Sequence, residues 1–190
     1  TTRNFRLSDL MEGWEIGLPK IKAGGEMTLY IPSPLAYGEN VRAGIPANSI
    51  IIFDIKLVDL ADNQADFDEK KIIEYLAENN LTAERHESGL HYIIEEPGEE
   101  EKPTPNSEVL VLYKGYLLDG TVFDETIEDD ARQFNLNGLI TGWRVGIPFI
   151  GSGGKITLFI PSSLGYGGSA RPSIPANSVL IFEIELKNFQ

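Results

Sequence analysis

Residues 136–186, LNGLITGWRVGIPFIGSGGKITLFIPSSLGYGGSARPSIPANSVLIFEIEL, have a near-copy at residues 7–57, LSDLMEGWEIGLPKIKAGGEMTLYIPSPLAYGENVRAGIPANSIIIFDIKL. An offset of 129 residues aligns them without a gap and, counted from Phe5 and Phe134, leaves 28 of 53 positions identical. It places Trp143 on Trp14, Tyr166 on Tyr37, Ile174 on Ile45 and Phe182 on Phe53. Solenoid periods run to roughly 50 residues. The longer offset here therefore reads as a duplicated domain.

Each copy has the same internal punctuation. In the first, Gly13-Trp14 opens a short helical stretch to about Leu18, where Pro19 biases its neighbour out of the helical region. Ala23-Gly24-Gly25 is a turn, Met27 to Ile31 a strand ended by Pro32, and residues 33–48 a long loop rich in Gly, Pro and Asn. Ser49 to Leu60 begins as a continuous apolar run and then alternates, with Phe53, Ile55 and Leu57 on one face and Asp54 and Lys56 on the other. Phe5-Arg6-Leu7 alternates like the end of a further strand.

Outside the copies the pattern changes. Residues 61–85 predict a helical connector: Asp66 with Glu69 resembles a capping box, Ile72, Ile73, Leu76 and Ala77 share a face, and Asn79-Asn80 suits the stop. That apolar face either docks on a neighbouring domain or serves self-association. Residues 86–190 form a longer unit. Its expected strands are Ser88 to Ile94, Val109 to Leu117, Val122 to Asp124 and a resumption near Gln133 to Leu136, before the second copy. Glu95 to Pro103 is an exposed acidic loop, and Asp119-Gly120 a hairpin turn.

Composition narrows the function classes. A net charge of −13 leaves no basic patch for a phosphate backbone, which argues against a nucleic-acid partner. No apolar run reaches the about 18 residues that would span a bilayer. With no cysteine, thiolate chemistry, disulfides and Cys-ligated metals are excluded. The two histidines, His86 and His91, read as surface residues, so neither metal nor cofactor is expected.

In order along the chain, YKGYLLDGTVFDET, LITGW, IPSSLGYGG and SIPANSVLIFEIEL resemble the FK506-binding proteins, the immunophilin class of peptidyl-prolyl cis-trans isomerases. The resemblance covers about Ser88 to Phe189. It implies an α+β fold, a twisted antiparallel five-stranded sheet wrapped around a short helix, here in tandem. Pocket walls fall on Tyr113, Phe123, Asp124, Leu139, Ile140, Trp143, Tyr166, Ile174 and Phe182, with Trp143 as the floor and Asp124 as the one carboxylate. The Ile140 N–H and the Tyr166 hydroxyl would bind ligand carbonyls.

The implied ligands are proline-containing polypeptides and macrolides of the FK506 type. Two positions depart from the family pattern: Arg132 stands where an aromatic residue is common, and Arg171 where a histidine is common. The connector and SGLHYII entry are similar to bacterial members, often secreted or lipid-anchored, which implies a cell-envelope or periplasmic setting.

Taken singly, these residues have plainer readings. Aromatic side chains at element starts belong to the core as readily as to a pocket, and Asp124 suits a turn. Together they favour an isomerase, with a non-catalytic chaperone or protein-binding module of the same fold as the alternative.

Residues 1–60 hold Met11, Trp14, Tyr37, Ile45 and Phe53 but no counterpart of Tyr113, Phe123 or Asp124, because Thr1 aligns with Asp130. The sequence therefore divides into a partial first domain (1–60), a connector (61–85) and a complete second domain (86–190). The missing strands are expected from residues preceding Thr1, or else from a separate fragment or a swapped chain.

Overall fold

The computed structural model describes residues 5–58, 60, 63–127 and 130–190. Asp59 of the expected strand and residues 61 and 62 of the connector lie outside them. The chain forms two compact units, Thr1–Asp62 and Asn63–Gln190.

In the first unit, helix α1 (Glu12–Gly17) precedes an antiparallel pair, β1 (Glu26–Ile31) and β2 (Ile51–Lys56), in the register Glu26 opposite Lys56 to Ile31 opposite Ile51. Gly13 and Gly17 let α1 lie flat on β1, since a Cβ on either would come within 2.3 Å of Ile31 and 2.4 Å of Leu29. The strand expected over Phe5 to Leu7 does not form, and Leu7–Asp9 is a 3₁₀ turn. The reason lies in the repeat. Phe134, the equivalent of Phe5, is in a strand because it pairs with a long neighbouring strand, and the described residues of the first unit contain no such neighbour.

The second unit begins with α2 (Gln64–Glu78) and continues through β3 (Glu84–Arg85), β4 (His91–Glu96), β5 (Glu108–Leu117), β6 (Val122–Glu125), β7 (Arg132–Asn135), α3 (Thr141–Gly146), β8 (Lys155–Ile160) and β9 (Leu180–Phe189). Its antiparallel sheet runs β3-β4-β8-β9-β5-β6, with β7 also on β5. Both β6 and β7 hydrogen-bond to β5, at Lys114–Tyr116 and Glu108–Val111 respectively, so together they fill one strand position. Five strand positions and the two-residue β3 make up the seven strands.

Strand alternation sorts side chains between the two faces. Leu180, Phe182, Ile184 and Leu186 of β9, Val109, Val111 and Tyr113 of β5, and Ile156, Leu158 and Ile160 of β8 are buried on the face under α3. The contact with α3 is close because Gly142 and Gly146, four apart, meet Ile160 and Leu158; a Cβ at either would approach within 2.6 and 2.5 Å. Beside them Trp143 enters the same core at 4% exposure.

The other face is covered by α2, whose Ile72 and Leu76 pack with Phe159, Val179 and Ile181. The expected apolar stripe was too wide: Ile73 is 53% exposed and Ala77 is exposed as well, while Tyr75 packs in their place. The cap also differs, since the Asn63 side chain accepts from the Ala65 and Asp66 N–H groups, which leaves Asp66 inside the first turn. Of the expected acidic loop, Glu95 and Glu96 instead extend β4 and Pro103 is buried; the stretch between them is largely exposed, but its backbone is pinned. Gly151 donates to Pro97 O, Glu99 donates to Ser152 O, and Gly98 takes φ 67°.

His91 is not a surface residue. It is 5% exposed, with Nε2 3.8 Å from Glu69 Oε1, and Glu69 is itself held by Arg85 at 2.7 and 2.9 Å. Burial lowers the imidazole below its ordinary 6.5, against an opposing pull from the Glu69 carboxylate. The unfolded chain therefore takes up this proton first, so the His91 contribution is complete above about pH 6.5 and is lost as pH falls through the lower folded value. Urea midpoints of the chain should fall between pH 7.5 and 5, and His91→Gln should flatten that slope; an unchanged slope in the variant contradicts the assignment.

Candidate functional site: an aromatic cluster on the sheet

Four rings converge where α3 crosses the sheet. Trp143 and Phe182 meet edge-on at 5.1 Å between centroids, as do Trp143 and Tyr113 at 5.1 Å, and Phe123 and Phe182 at 5.4 Å. These separations suit edge-to-face aromatic contacts. Gly115 of β5, opposite Phe182, makes room for them, since a Cβ there would sit 2.5 Å from Phe123 and 2.7 Å from Phe182. Leu139, Ile140 and Tyr166 pack against the same cluster half-buried, and Ile174 is buried within it. Every second-unit residue expected from the sequence thus lies on or beside one cluster, except that Asp124 is exposed at its edge.

The Tyr113 hydroxyl donates to Asp124 Oδ2 at 2.5 Å and accepts from Arg132 Nη1 at 2.8 Å, while the same Nη1 reaches Asp124 Oδ1 at 3.2 Å. Burial and the neighbouring Asp124 carboxylate push the phenol up to about 12, so it stays protonated and a donor near neutral pH. Arg132 also lies over the Tyr113 ring at 5.6 Å. This arginine, noted in the sequence only as a departure from an aromatic residue, is therefore part of the site.

Phe134 is a second residue the sequence reading left out. Its ring is 6.1 Å from Trp143 and 6.2 Å from Tyr113. Alternation could have found both, since Arg132 and Phe134 sit two apart in β7, opposite Val111 and Val109. Arg171, the other departure, bridges to Ile174 and lies over the Tyr166 ring at 5.3 Å.

The two expected carbonyl-binding groups carry no internal partner. Among the described residues neither the Ile140 N–H nor the Tyr166 hydroxyl makes a hydrogen bond. The buried Nε1 of Trp143 is likewise unpaired. A buried donor without an acceptor costs about 1–3 kcal/mol.

The first unit repeats half of this arrangement. Trp14 meets Phe53 edge-on at 5.0 Å, Phe5 stands 6.4 Å from Trp14, and Arg42 covers Tyr37 at 5.4 Å and bridges to Ile45. Met11 caps the start of α1 as Ile140 caps α3. The described residues hold no equivalent of Tyr113, Phe123 or Asp124.

An aromatic cluster with one edge carboxylate thus lies on an antiparallel sheet crossed by a short helix. The family model for FKBP-type peptidyl-prolyl cis-trans isomerases matches residues 2–58 and 99–187, and the chain belongs to that family. Among characterised relatives, the FKBP-type peptidyl-prolyl cis-trans isomerase FkpA of Aeromonas hydrophila is 40% identical over 141 residues, which cover 70% of this chain and 53% of that protein. FkpA of Escherichia coli K12 is 40% identical over 132 residues, 67% of this chain and 47% of the relative. The chain spans about half the length of these relatives.

Solved structures agree. The crystal structure of FkpA from Escherichia coli superposes with a TM-score of 0.59 at 38% identity, covering 66% of this chain and 61% of that one. A peptidyl-prolyl cis-trans isomerase from Pseudomonas syringae pv. tomato gives 0.57 at 29% identity, covering 69% of this chain and 99% of that one. Among the described residues no helix is long and apolar enough to cross a membrane, and no group of His, Asp and Glu is arranged to hold a metal.

Proposed function

We propose that the second unit is a peptidyl-prolyl cis-trans isomerase acting on X-Pro bonds of polypeptides. An X-Pro bond rotates slowly because its partial double bond presents a barrier of roughly 18–20 kcal/mol. Lowering it needs no nucleophile or proton transfer. It needs a site that binds the twisted amide better than either planar form. Twisting removes resonance and with it charge on the carbonyl oxygen, so an apolar aromatic site favours the twisted state.

Trp143 is the floor for the proline ring, with Tyr113, Phe123 and Phe182 as walls and Leu139 and Ile174 at the sides. The Ile140 N–H and the Tyr166 hydroxyl donate to the flanking carbonyls. The observation that carries this reading is that, among the described residues, both donors are without a hydrogen-bond partner beside a four-ring cluster. Arg132 holds Asp124 and the Tyr113 hydroxyl at the edge, so the carboxylate is offset where the substrate backbone would pass. Macrolides of the FK506 type would compete for the same walls.

The chain is proposed to carry the C-terminal part of a first domain of this kind at residues 1–60 and a complete one at residues 86–190, joined by a helical connector at residues 61–85. Trp14, Phe53, Met11, Tyr37 and Ile45 would supply half of a first site. A second reading is a non-catalytic chaperone or protein-binding module of the same fold, and tandem copies leave room for one active and one binding domain.

The discriminating experiment is refolding of a protein whose slow phase is proline-limited, a phase of tens of seconds at 25 °C. The rate of that phase should rise in proportion to added chain. Suppressed aggregation at an unchanged rate would instead support the binding module.

A further inference from the structure

A buried carboxylate outside the aromatic cluster connects to it through one serine. Asp68 of α2 is fully buried, and its Oδ2 accepts from both the N–H and the hydroxyl of Ser162, at 2.8 and 2.6 Å; Gln64 Nε2 donates to Oδ1 at 2.5 Å. A buried carboxylate is costly unless hydrogen-bonded, and these three donors serve that need. Ser162, 1% exposed, opens the 3₁₀ turn Ser162–Leu164. Its carbonyl accepts from Gly165 at 3.0 Å and Gly167 at 2.8 Å, the two neighbours of Tyr166. Gly167 O in turn accepts from Asn177 at 2.7 Å, closing the loop that carries Ile174.

The repeat separates the local contribution from the distant one. In the first unit the Ser33 carbonyl accepts from Ala36 at 3.0 Å and Gly38 at 2.8 Å, so the turn itself is made by its own sequence. Ser33 is only half-buried. What the second unit adds is an anchor, which ties the root of this loop to a helix on the opposite face of the sheet from Trp143.

We propose that Asp68 is a positioning residue for the aromatic site: by gripping Ser162 it fixes the loop that presents the Tyr166 hydroxyl and Ile174. This rests on the isomerase reading for its effect on rate, but not for its effect on the loop. Without the grip the turn opens more often and drifts relative to Trp143, so the Tyr166 hydroxyl meets the amide carbonyl less often. A misplaced donor lowers turnover more than it weakens binding, because the contact counts most with the twisted amide.

The test uses the full chain with Asp68→Leu, Asp68→Asn and Ser162→Ala. Two readouts are taken: kcat and KM on an Ala-Pro peptide, and amide hydrogen exchange at Gly165 and Gly167, the two donors to the Ser162 carbonyl. Asp68→Leu should lower kcat at least fivefold with KM within twofold, and speed exchange at both amides at least tenfold. Asp68→Asn, which keeps an acceptor for Ser162, should stay within twofold of wild type in kcat. Ser162→Ala, which keeps the N–H bond, should fall about threefold, and it decides the question if Asp68→Leu does not fold.

A folded Asp68→Leu with wild-type kcat and unchanged exchange at Gly167 overturns the proposal, as does a Ser162→Ala variant unchanged in both. Faster loop exchange in Asp68→Leu, together with a wild type that shows no catalysis, would leave the anchor standing and overturn the isomerase reading instead.

Discussion

Replacing Phe182 with alanine is expected to lower kcat/KM for an X-Pro peptide at least tenfold, equivalent to about 1.4 kcal/mol of transition-state stabilisation. Phe182 is 5% exposed and touches three of the site's rings, at 5.1 Å for Trp143, 5.4 Å for Phe123 and 6.2 Å for Tyr113. Truncation opens the wall to water, and a twisted amide gains least where water is present. Asp124→Asn is expected to cost less, since no proton moves and the amide oxygen can still accept from the Tyr113 hydroxyl.

The same substitution removes core, and Phe→Ala changes typically cost about 3–5 kcal/mol of stability. Phe182→Leu therefore accompanies it: leucine restores most of the packing but not the flat wall, so activity should remain depressed while the melting temperature recovers. Recovery of activity in step with stability would mean that Phe182 acts only as core.

The second large effect concerns the two units. Residues 63–190 should fold alone with a sharp thermal transition, while residues 1–62 should show none. The longer fragment holds both faces' cover, with α3 and the aromatic cluster on one side and α2 on the other. In the first unit Ile31 is the one large hydrophobic side chain buried among the described residues, whereas Tyr30, Ile50 and Ile52 are 70%, 69% and 58% exposed. An isolated two-stranded pair is marginal in water at best, and an apolar edge invites pairing with another chain. A cooperative melt from the short fragment, or a disordered circular dichroism spectrum from the long one, would defeat this account.

What could be read in advance follows the range of the forces involved. The helix at Thr141 was legible because Gly142-Trp143 and Pro148 repeat the punctuation of Gly13-Trp14 and Pro19, whereas the need for glycine at Gly142 and Gly146 is seen only where the helix meets the sheet. Strands β5, β8 and β9 were legible from alternation and Gly/Pro punctuation. The misses are tertiary.

His91 looked like a surface residue because only the packing of α2 brings Glu69 over it. Phe5 to Leu7 has strand alternation but no described neighbour to pair with, and pairing outranks propensity. Asp66 has the residue type of a cap, but Asn63, three residues earlier, takes that position and leaves Asp66 inside the first turn. Arg132 could be seen as unusual, but its reach to Tyr113 and Asp124 depends on β6 and β7 sharing β5 as a partner. The aromatic set itself was legible only as an ordered series of motifs, since each ring alone fits a plain core.

The most direct measurement is exchange NMR on a peptide with a single Ala-Pro bond, at substoichiometric chain. Uncatalysed, the cis and trans resonances interconvert over tens of seconds or longer and show no exchange cross-peaks on the sub-second mixing time. With the chain present, cis–trans cross-peaks should appear, grow with protein concentration and build up at least tenfold more slowly with the Phe182→Ala variant. Peptide lines that broaden on binding while cis–trans cross-peaks stay absent would contradict the isomerase account.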